Sequence, residues 1–296
     1  MLKTTVFEGS CTALITPYTE QGIDYARLKR NLQFQYENCT AAVVICGTTG
    51  ENATQTSEEH NELVRFTVNE TAGRMKVIAG IGSNNSLTAL RNAENAQAVG
   101  ADAVLMVTPY YNKTTQAGLV EHFVYVADRV RIPLILYNVP SRTGIGITAE
   151  TYRTLSEHPN IVAVKEASGD LSLMVRTRSL CGDDLSIYSG NDDNTIAMMA
   201  LGAKGVISVA SNLLPAVVAK LCALCGEGDY AAAVELYRKY AELFSLLFIE
   251  TNPIPIKSAM RLMDMDSGIL RLPLTKMSEE HEAQLRAAMR EVGLNV

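Results

Sequence analysis

Lys165 closes the run IVAVK, an ammonium at the end of an otherwise apolar segment, and is the sharpest chemical signal in the chain. Burial penalises the charged form of lysine and lowers its pKa, and a neutral amine attacks a carbonyl to form a Schiff base. The alternative is a structural lysine paired with Glu166 or another carboxylate. Strand alternation places Glu166 on the opposite face, which weakens that pairing. A Schiff-base lysine also needs a proton shuttle, because carbinolamine collapse and enamine formation each move a proton. Tyr137, in LILYNVP, is the candidate acid/base, with a packing role as its alternative. Arg142, in SRTG, suits a bidentate clamp on a carboxylate, or else a surface salt bridge. Thr48 and Thr49, in GTTGE, offer two adjacent hydroxyls and free backbone N–H groups that could cradle a carboxylate, unless the segment is only a turn. Other chemistries lack their motifs. The four histidines (60, 122, 158 and 281) fall in helical stretches, and neither H-E-x-x-H nor G-x-S-x-G occurs. GIGSNN comes closest to a dinucleotide loop and lacks its third glycine. In SGNDDN, Asp192 and Asp193 argue against a phosphate pocket.

The elements that must position these residues are short, β-branched runs separated by helical segments. The runs cover 10–17, 41–47, 76–82, 101–109, 132–140, 161–167, 185–191 and 204–210. Most are nearly continuous apolar stretches, as expected of parallel strands covered on both faces. Between them, Thr56 with Glu59 forms a capping box ahead of Leu63 and Phe66, and Ser86 opens a stretch that closes at Gly100. Eight strands alternating with helices predict an α/β fold, a (β/α)8 TIM barrel, whose active site lies at the carboxyl ends of the strands. At those ends fall Thr48 and Thr49 (second strand), Tyr110 and Tyr111 (fourth), Tyr137 and Arg142 (fifth), Lys165 (sixth), and Ser189, Gly190 and Asn191 (seventh). From about Asp229 the pattern is helical only. The expected division is a catalytic barrel over 1–228 and a three-helix segment over 229–296 packed on it, with no low-complexity linker between.

Composition narrows the classes further. At roughly 150 residues per domain, 296 residues allow two units or one large barrel with an appendage. Hydrophobic residues at 47% and charged residues at 20% supply a sizeable core and exclude global disorder. Twenty-six Lys+Arg against 32 Asp+Glu give a net charge of −6, without any basic block to bind nucleic acid. The start, MLKTTVFEGS, lacks the apolar core of a signal peptide, and no apolar run reaches the ~20 residues of a membrane span. A soluble, cytoplasmic protein is expected. Six scattered cysteines read as reduced thiols. Cys222 and Cys225 form a C-x-x-C pair on an apolar helix ending at Gly226, without the second ligand pair that zinc requires, and read as helix packing.

The ordered set GTTGE, TPYYNK, YNVPSRTG, VKEASGD and YSGNDD closely resembles the dihydrodipicolinate (4-hydroxy-tetrahydrodipicolinate) synthase family, within the class I aldolase superfamily that also contains N-acetylneuraminate lyase. The likeness covers the barrel and continues into the tail through TNPIPIKSAM. The resemblance implies that Lys165 forms a Schiff base with pyruvate. Tyr137, Thr48 and Tyr111 match a proton relay, with Tyr111 supplied by a neighbouring subunit. Thr49 matches the holder of the pyruvate carboxylate, and Arg142 the residue that binds the carboxylate of L-aspartate 4-semialdehyde. Gly190 and Ile207 match positions that contribute backbone around the site. The family forms homotetramers, as dimers of dimers, and needs no metal or organic cofactor. Its reaction is the condensation of pyruvate with aspartate semialdehyde in the diaminopimelate route to lysine. The neuraminate lyases share the lysine and tyrosine but typically lack the arginine of SRTG and carry serine in place of Thr48. The alternatives are therefore a pyruvate-dependent sugar-acid aldolase and a catalytically silent effector-binding barrel.

The resemblance also bears on feedback by lysine, which inhibited members bind between two subunits. Ala53, His60, Asn84 and Tyr110 keep the family's residue types at that cleft. Thr88 stands where inhibited members have a glutamate, and Asn52 where a serine is common. An ammonium entering a partly dry cleft without its charged partner is poorly compensated, so weak or absent inhibition is expected. Glu51 is the nearby carboxylate that could compensate.

Overall fold

Eight of the apolar runs form parallel strands that close on themselves. In this computed structural model, which describes Lys3 and residues 5–296, the barrel strands are β1 (Gly9–Ala13), β4 (Ala42–Ile45), β5 (Lys76–Gly80), β6 (Ala103–Val107), β7 (Leu134–Asn138), β8 (Ile161–Glu166), β9 (Ser186–Ser189) and β10 (Gly205–Ser208). Their hydrogen-bonded order runs β1-β10-β9-β8-β7-β6-β5-β4 and returns to β1. The barrel expected from the sequence is thus present. A two-stranded antiparallel hairpin, β2 (Tyr18–Thr19) with β3 (Gly22–Ile23), is an addition that the pattern did not announce. Strands of two residues carry no alternation to read.

Helices fill the intervals: α1 (Tyr25–Glu37), α2 (Ser57–Thr71), α3 (Ser86–Ala98), α4 (Gln116–Ala127), α5 (Pro140–Thr143), α6 (Ala149–Ser156), α7 (Leu171–Cys181), α8 (Thr195–Ala200) and α9 (Pro215–Gly226). Most begin at a side chain that accepts from an otherwise orphaned backbone N–H, among them Asp24, Thr56, Asn85, Thr115, Thr148 and Asp170. The capping box at Thr56 is complete, with the Glu59 carboxylate returning to the Thr56 N–H at 3.0 Å. Among the described residues no helix is long and apolar enough to cross a membrane.

The tail forms α10 (Tyr230–Leu246), α11 (Ile254–Leu262) and α12 (Glu279–Glu291). Its apolar side chains, including Leu243, Phe244, Ile256, Met260 and Leu285, share one cluster with Ile15, Val206 and Val209 of the barrel. We propose the division at 228/229, which falls between α9 and α10, as a boundary of chain topology across which the packing is continuous. Cys222 and Cys225 are buried on α9, free of disulfides, and desolvation pushes the Cys222 thiol up to about 12. Such a thiol stays protonated at neutral pH, consistent with a packing role.

Candidate active site

Parallel pairing of β7 and β8 places Tyr137 directly beside Lys165. Both side chains point into the barrel interior, where the Lys165 Nζ lies 4.6 Å from the centroid of the Tyr137 ring. Lys165 is only 6% exposed, yet among the described residues it makes no ion pair and donates no side-chain hydrogen bond. Its chain neighbour Glu166 faces the other way, as alternation requires. The Glu166 carboxylate accepts from Asn138 Nδ2, Tyr152 Oη at 2.6 Å and Ser168 N at 2.7 Å, so it is fully engaged behind the sheet. Glu166 therefore does not compensate the lysine. A buried amine with no direct side-chain partner and open space beside it is placed to meet an incoming carbonyl compound.

The carboxyl ends of the strands open into a cavity of about 510 Å³. Lys165, Tyr137, Thr48, Thr49, Arg142 and Gly190 all line it. A concavity of about 790 Å³ at the opposite end, bordered by Glu8, Glu37, Lys204 and Lys220, is larger but holds none of these groups. Thr48 and Thr49 sit in a tight turn after β4, closed by Gly50 N to Gly47 O (3.1 Å) and Glu51 N to Thr48 O (3.0 Å). Gly190 has a local necessity: a Cβ there would lie 2.6 Å from the Ala167 Cβ, so the backbone can pass this close to β8 only without a side chain. Arg142, exposed on α5, forms no salt bridge among the described residues, and its Nη2 donates to Asn252 O at 3.1 Å. The guanidinium is thus oriented but retains donors for an anion.

The acidic loop after β9 has an internal role. Asp192 accepts from Ser208 Oγ and, at 3.0 Å each, from Val209 N and Ala210 N, and burial pushes its carboxyl up. Asp192 thus occupies two backbone donors of the segment after β10, Val209 N and Ala210 N, with its own negative charge. Among the described residues no group of three or more His, Cys, Asp and Glu is placed to hold a metal ion.

Two expected residues stand apart from the cavity wall. Ile207 is completely buried within the barrel interior. Tyr111 is 92% exposed and carries a left-handed backbone, φ +69°. That conformation costs a bulky residue about 1–3 kcal/mol, and within this chain the exposed ring recovers little of it. Conversely, the tail contributes Phe248 and Asn252 to the cavity, which the residue-by-residue reading overlooked. Asn252 Nδ2 donates to Thr49 Oγ1 at 3.0 Å. Its one sequence signal was the segment TNPIPIKSAM, where a polar residue precedes an otherwise apolar helix.

A family model described as the dihydrodipicolinate synthetase family matches residues 6–292. The chain belongs to this family. It is 46% identical over 289 residues to a protein of Clostridium perfringens named 4-hydroxy-tetrahydrodipicolinate synthase, covering 98% of this chain and 99% of that protein. The crystal structure of dihydrodipicolinate synthase from Aquifex aeolicus superposes with a TM-score of 0.96 at 47% identity, over 97% of this chain and 99% of that one. The chloride-inhibited enzyme of Acinetobacter baumannii, complexed with pyruvate, superposes equally well at 38% identity, over 98% of this chain and all of that one. The five segments by which the sequence resembled the family each place at least one residue in the cavity: Thr48 and Thr49, Tyr110, Tyr137 with Arg142, Lys165, and Gly190 with Asn191. The positions matched to the family's lysine cleft are less uniform. Thr88 is exposed and neutral, Asn84 Nδ2 donates to Tyr110 O at 3.2 Å, and the buried His60 bonds Gly80 O through Nε2 at 2.7 Å. Glu51, the carboxylate that might have compensated there, is buried and already engaged by Lys257 at 2.7 Å.

Proposed function

We propose that this chain condenses pyruvate with L-aspartate 4-semialdehyde, as a 4-hydroxy-tetrahydrodipicolinate synthase in the diaminopimelate route of lysine biosynthesis. The observation that carries the reading is the buried, unpaired amine of Lys165 in a cavity that also presents an acid/base phenol, a pair of hydroxyls and an oriented guanidinium. The amine adds to the pyruvate carbonyl and expels water to give an imine. Loss of a proton from the methyl carbon gives the enamine, and that carbon forms the new bond to the aldehyde, whose oxygen becomes a hydroxyl. The substrate amine then attacks the imine carbon, releases Lys165 and closes the ring. Tyr137 and Thr48 move protons in these steps. Thr49 holds the pyruvate carboxylate, Arg142 the carboxylate of the semialdehyde, and the backbones of Gly190 and Ile207 border the reacting carbon.

Tyr111 completes the relay from a second copy of the chain. Its exposure and strained backbone support that reading, since a partner surface would bury the ring. The assembly is a homotetramer built as a dimer of dimers, acting in the cytoplasm on its two small-molecule substrates. Incubation with pyruvate and borohydride is expected to add one reduced pyruvate per chain, lost in Lys165→Ala, and a coupled assay with both substrates is expected to turn over. A protein that takes up pyruvate but turns over only a sugar acid would move it to the aldolase reading. One that takes up nothing would be a silent effector-binding barrel.

A further inference from the structure

Beneath the turn that carries Thr48 and Thr49 lies a second charged system that the mechanism does not use. Lys257, on α11, is completely buried, and its Nζ spends all three donors: on Glu51 Oε1 (2.7 Å), Thr16 O (3.0 Å) and Ile269 O (2.6 Å). The same ammonium lies 4.6 Å from the centroid of the Tyr18 ring. Glu51 is the last residue of GTTGE and is equally enclosed, and its Oε2 accepts from Arg271 N at 3.0 Å. Asp266 lies farther off, 4.0 Å from Lys257, which makes Glu51 the direct counter-charge. Glu51 also has a left-handed backbone, φ +59°, that L residues seldom adopt without outside support.

The turn is gripped elsewhere as well. Gln55 Nε2 and Thr16 Oγ1 both donate to Gly50 O, at 2.7 and 2.8 Å, and Asn252 reaches Thr49 from the tail. These contacts converge on one short segment, and the strongest comes from a helix about two hundred residues away in the chain. A buried ion pair is a poor source of net stability compared with apolar packing, but it imposes direction and distance.

We infer that Glu51 and Lys257 are a positioning pair, through which the helical tail sets the geometry of the Thr48–Thr49 cradle for the substrate carboxylate. This rests on the function proposed above, in which that cradle holds pyruvate. Neither residue touches substrate; they act through the turn. Misplacing Thr49 weakens the hold on the pyruvate carboxylate, read in half-saturation, and misplacing Thr48 slows the proton relay, read in kcat.

The test uses two full-length variants, Glu51→Gln, which keeps the shape and removes the charge, and the double variant E51Q/K257M, which removes both partners of the direct contact. Both are expected to raise the pyruvate concentration for half-maximal borohydride trapping about tenfold and to lower kcat at saturation by about tenfold as well. Amide exchange is expected to accelerate at residues 47–52 and not in the barrel strands. In the double variant the thermal midpoint should return toward that of the parent while the raised pyruvate KM persists, which separates positioning from stability. Folded variants with parental half-saturation and parental exchange at 47–52 would overturn the inference. If the parent protein itself trapped no pyruvate, the functional reading would fail, and exchange at 47–52 alone would decide whether the pair holds the turn.

Discussion

Two buried lysines, one on the wall of the cavity and one bonded to the turn that borders it, define what this molecule does with charge. Lys165 and Lys257 are 6% and 0% exposed, and each has its ammonium 4.6 Å from the centroid of a tyrosine ring. Lys257 is surrounded by a carboxylate and two carbonyl oxygens, so its charge is fully answered. Lys165 has neither ion pair nor hydrogen bond among the described residues and faces a cavity. Burial by itself therefore does not mark a reactive lysine. What distinguishes Lys165 is burial without a direct partner, beside open space that a substrate can enter.

Substitutions at the two lysines should separate these roles. The largest effect is expected from Lys165→Ala, which should abolish the pyruvate adduct and leave stability intact, since no partner is orphaned. Intact-mass spectra after borohydride, read beside a denaturation curve, check both halves, and an adduct of undiminished yield would remove Lys165 from the mechanism. Lys257→Met should do the reverse in stability. Leaving the Glu51 carboxylate buried and alone is expected to cost about 3–5 kcal/mol in chemical denaturation. If instead Lys257→Met is as stable as the parent, the pair is not the tight contact described above.

Smaller effects sharpen the same principle at the cavity mouth. Arg142→Ala should weaken use of aspartate semialdehyde by about 2–3 kcal/mol in kcat/KM, with pyruvate trapping little changed. Equal damage to both substrates would make Arg142 a structural residue. The principle extends to free lysine as an effector. Its ammonium needs the kind of partner that Lys257 has, whereas Thr88 is neutral and Glu51 is occupied. The missing charge is expected to cost about 1.5–3 kcal/mol, or ten- to a hundredfold in affinity. An activity titration with L-lysine at subsaturating pyruvate should therefore show weak or no inhibition, and half-inhibition at submillimolar lysine would contradict it.

Much of this molecule is written locally. Eight apolar runs announce the barrel because a strand buried on both faces must be apolar along its whole length, and Thr56 with Glu59 announces a helix start that the structure contains in full. Residues at strand ends were legible as neighbours because barrel geometry gathers those ends, whatever their separation in the chain. Thr48, Thr49, Tyr137, Arg142, Lys165 and Gly190 line one cavity for that reason. The sequence also separated Lys165 from Glu166, since alternation is a property of adjacent residues.

What it could not determine was who meets whom across distance. IVAVKEA and PIPIKSAM look alike as apolar segments with a lysine, and only the fold brings Glu51 to Lys257 while leaving Lys165 unpaired. Asn252 escaped notice on the same ground, since its contact with Thr49 spans some two hundred residues and has no periodic signature. Periodicity follows from the geometry of a single element and can be read in one dimension. Compensation of a buried charge depends on which elements pack together, and that is decided by the tertiary structure.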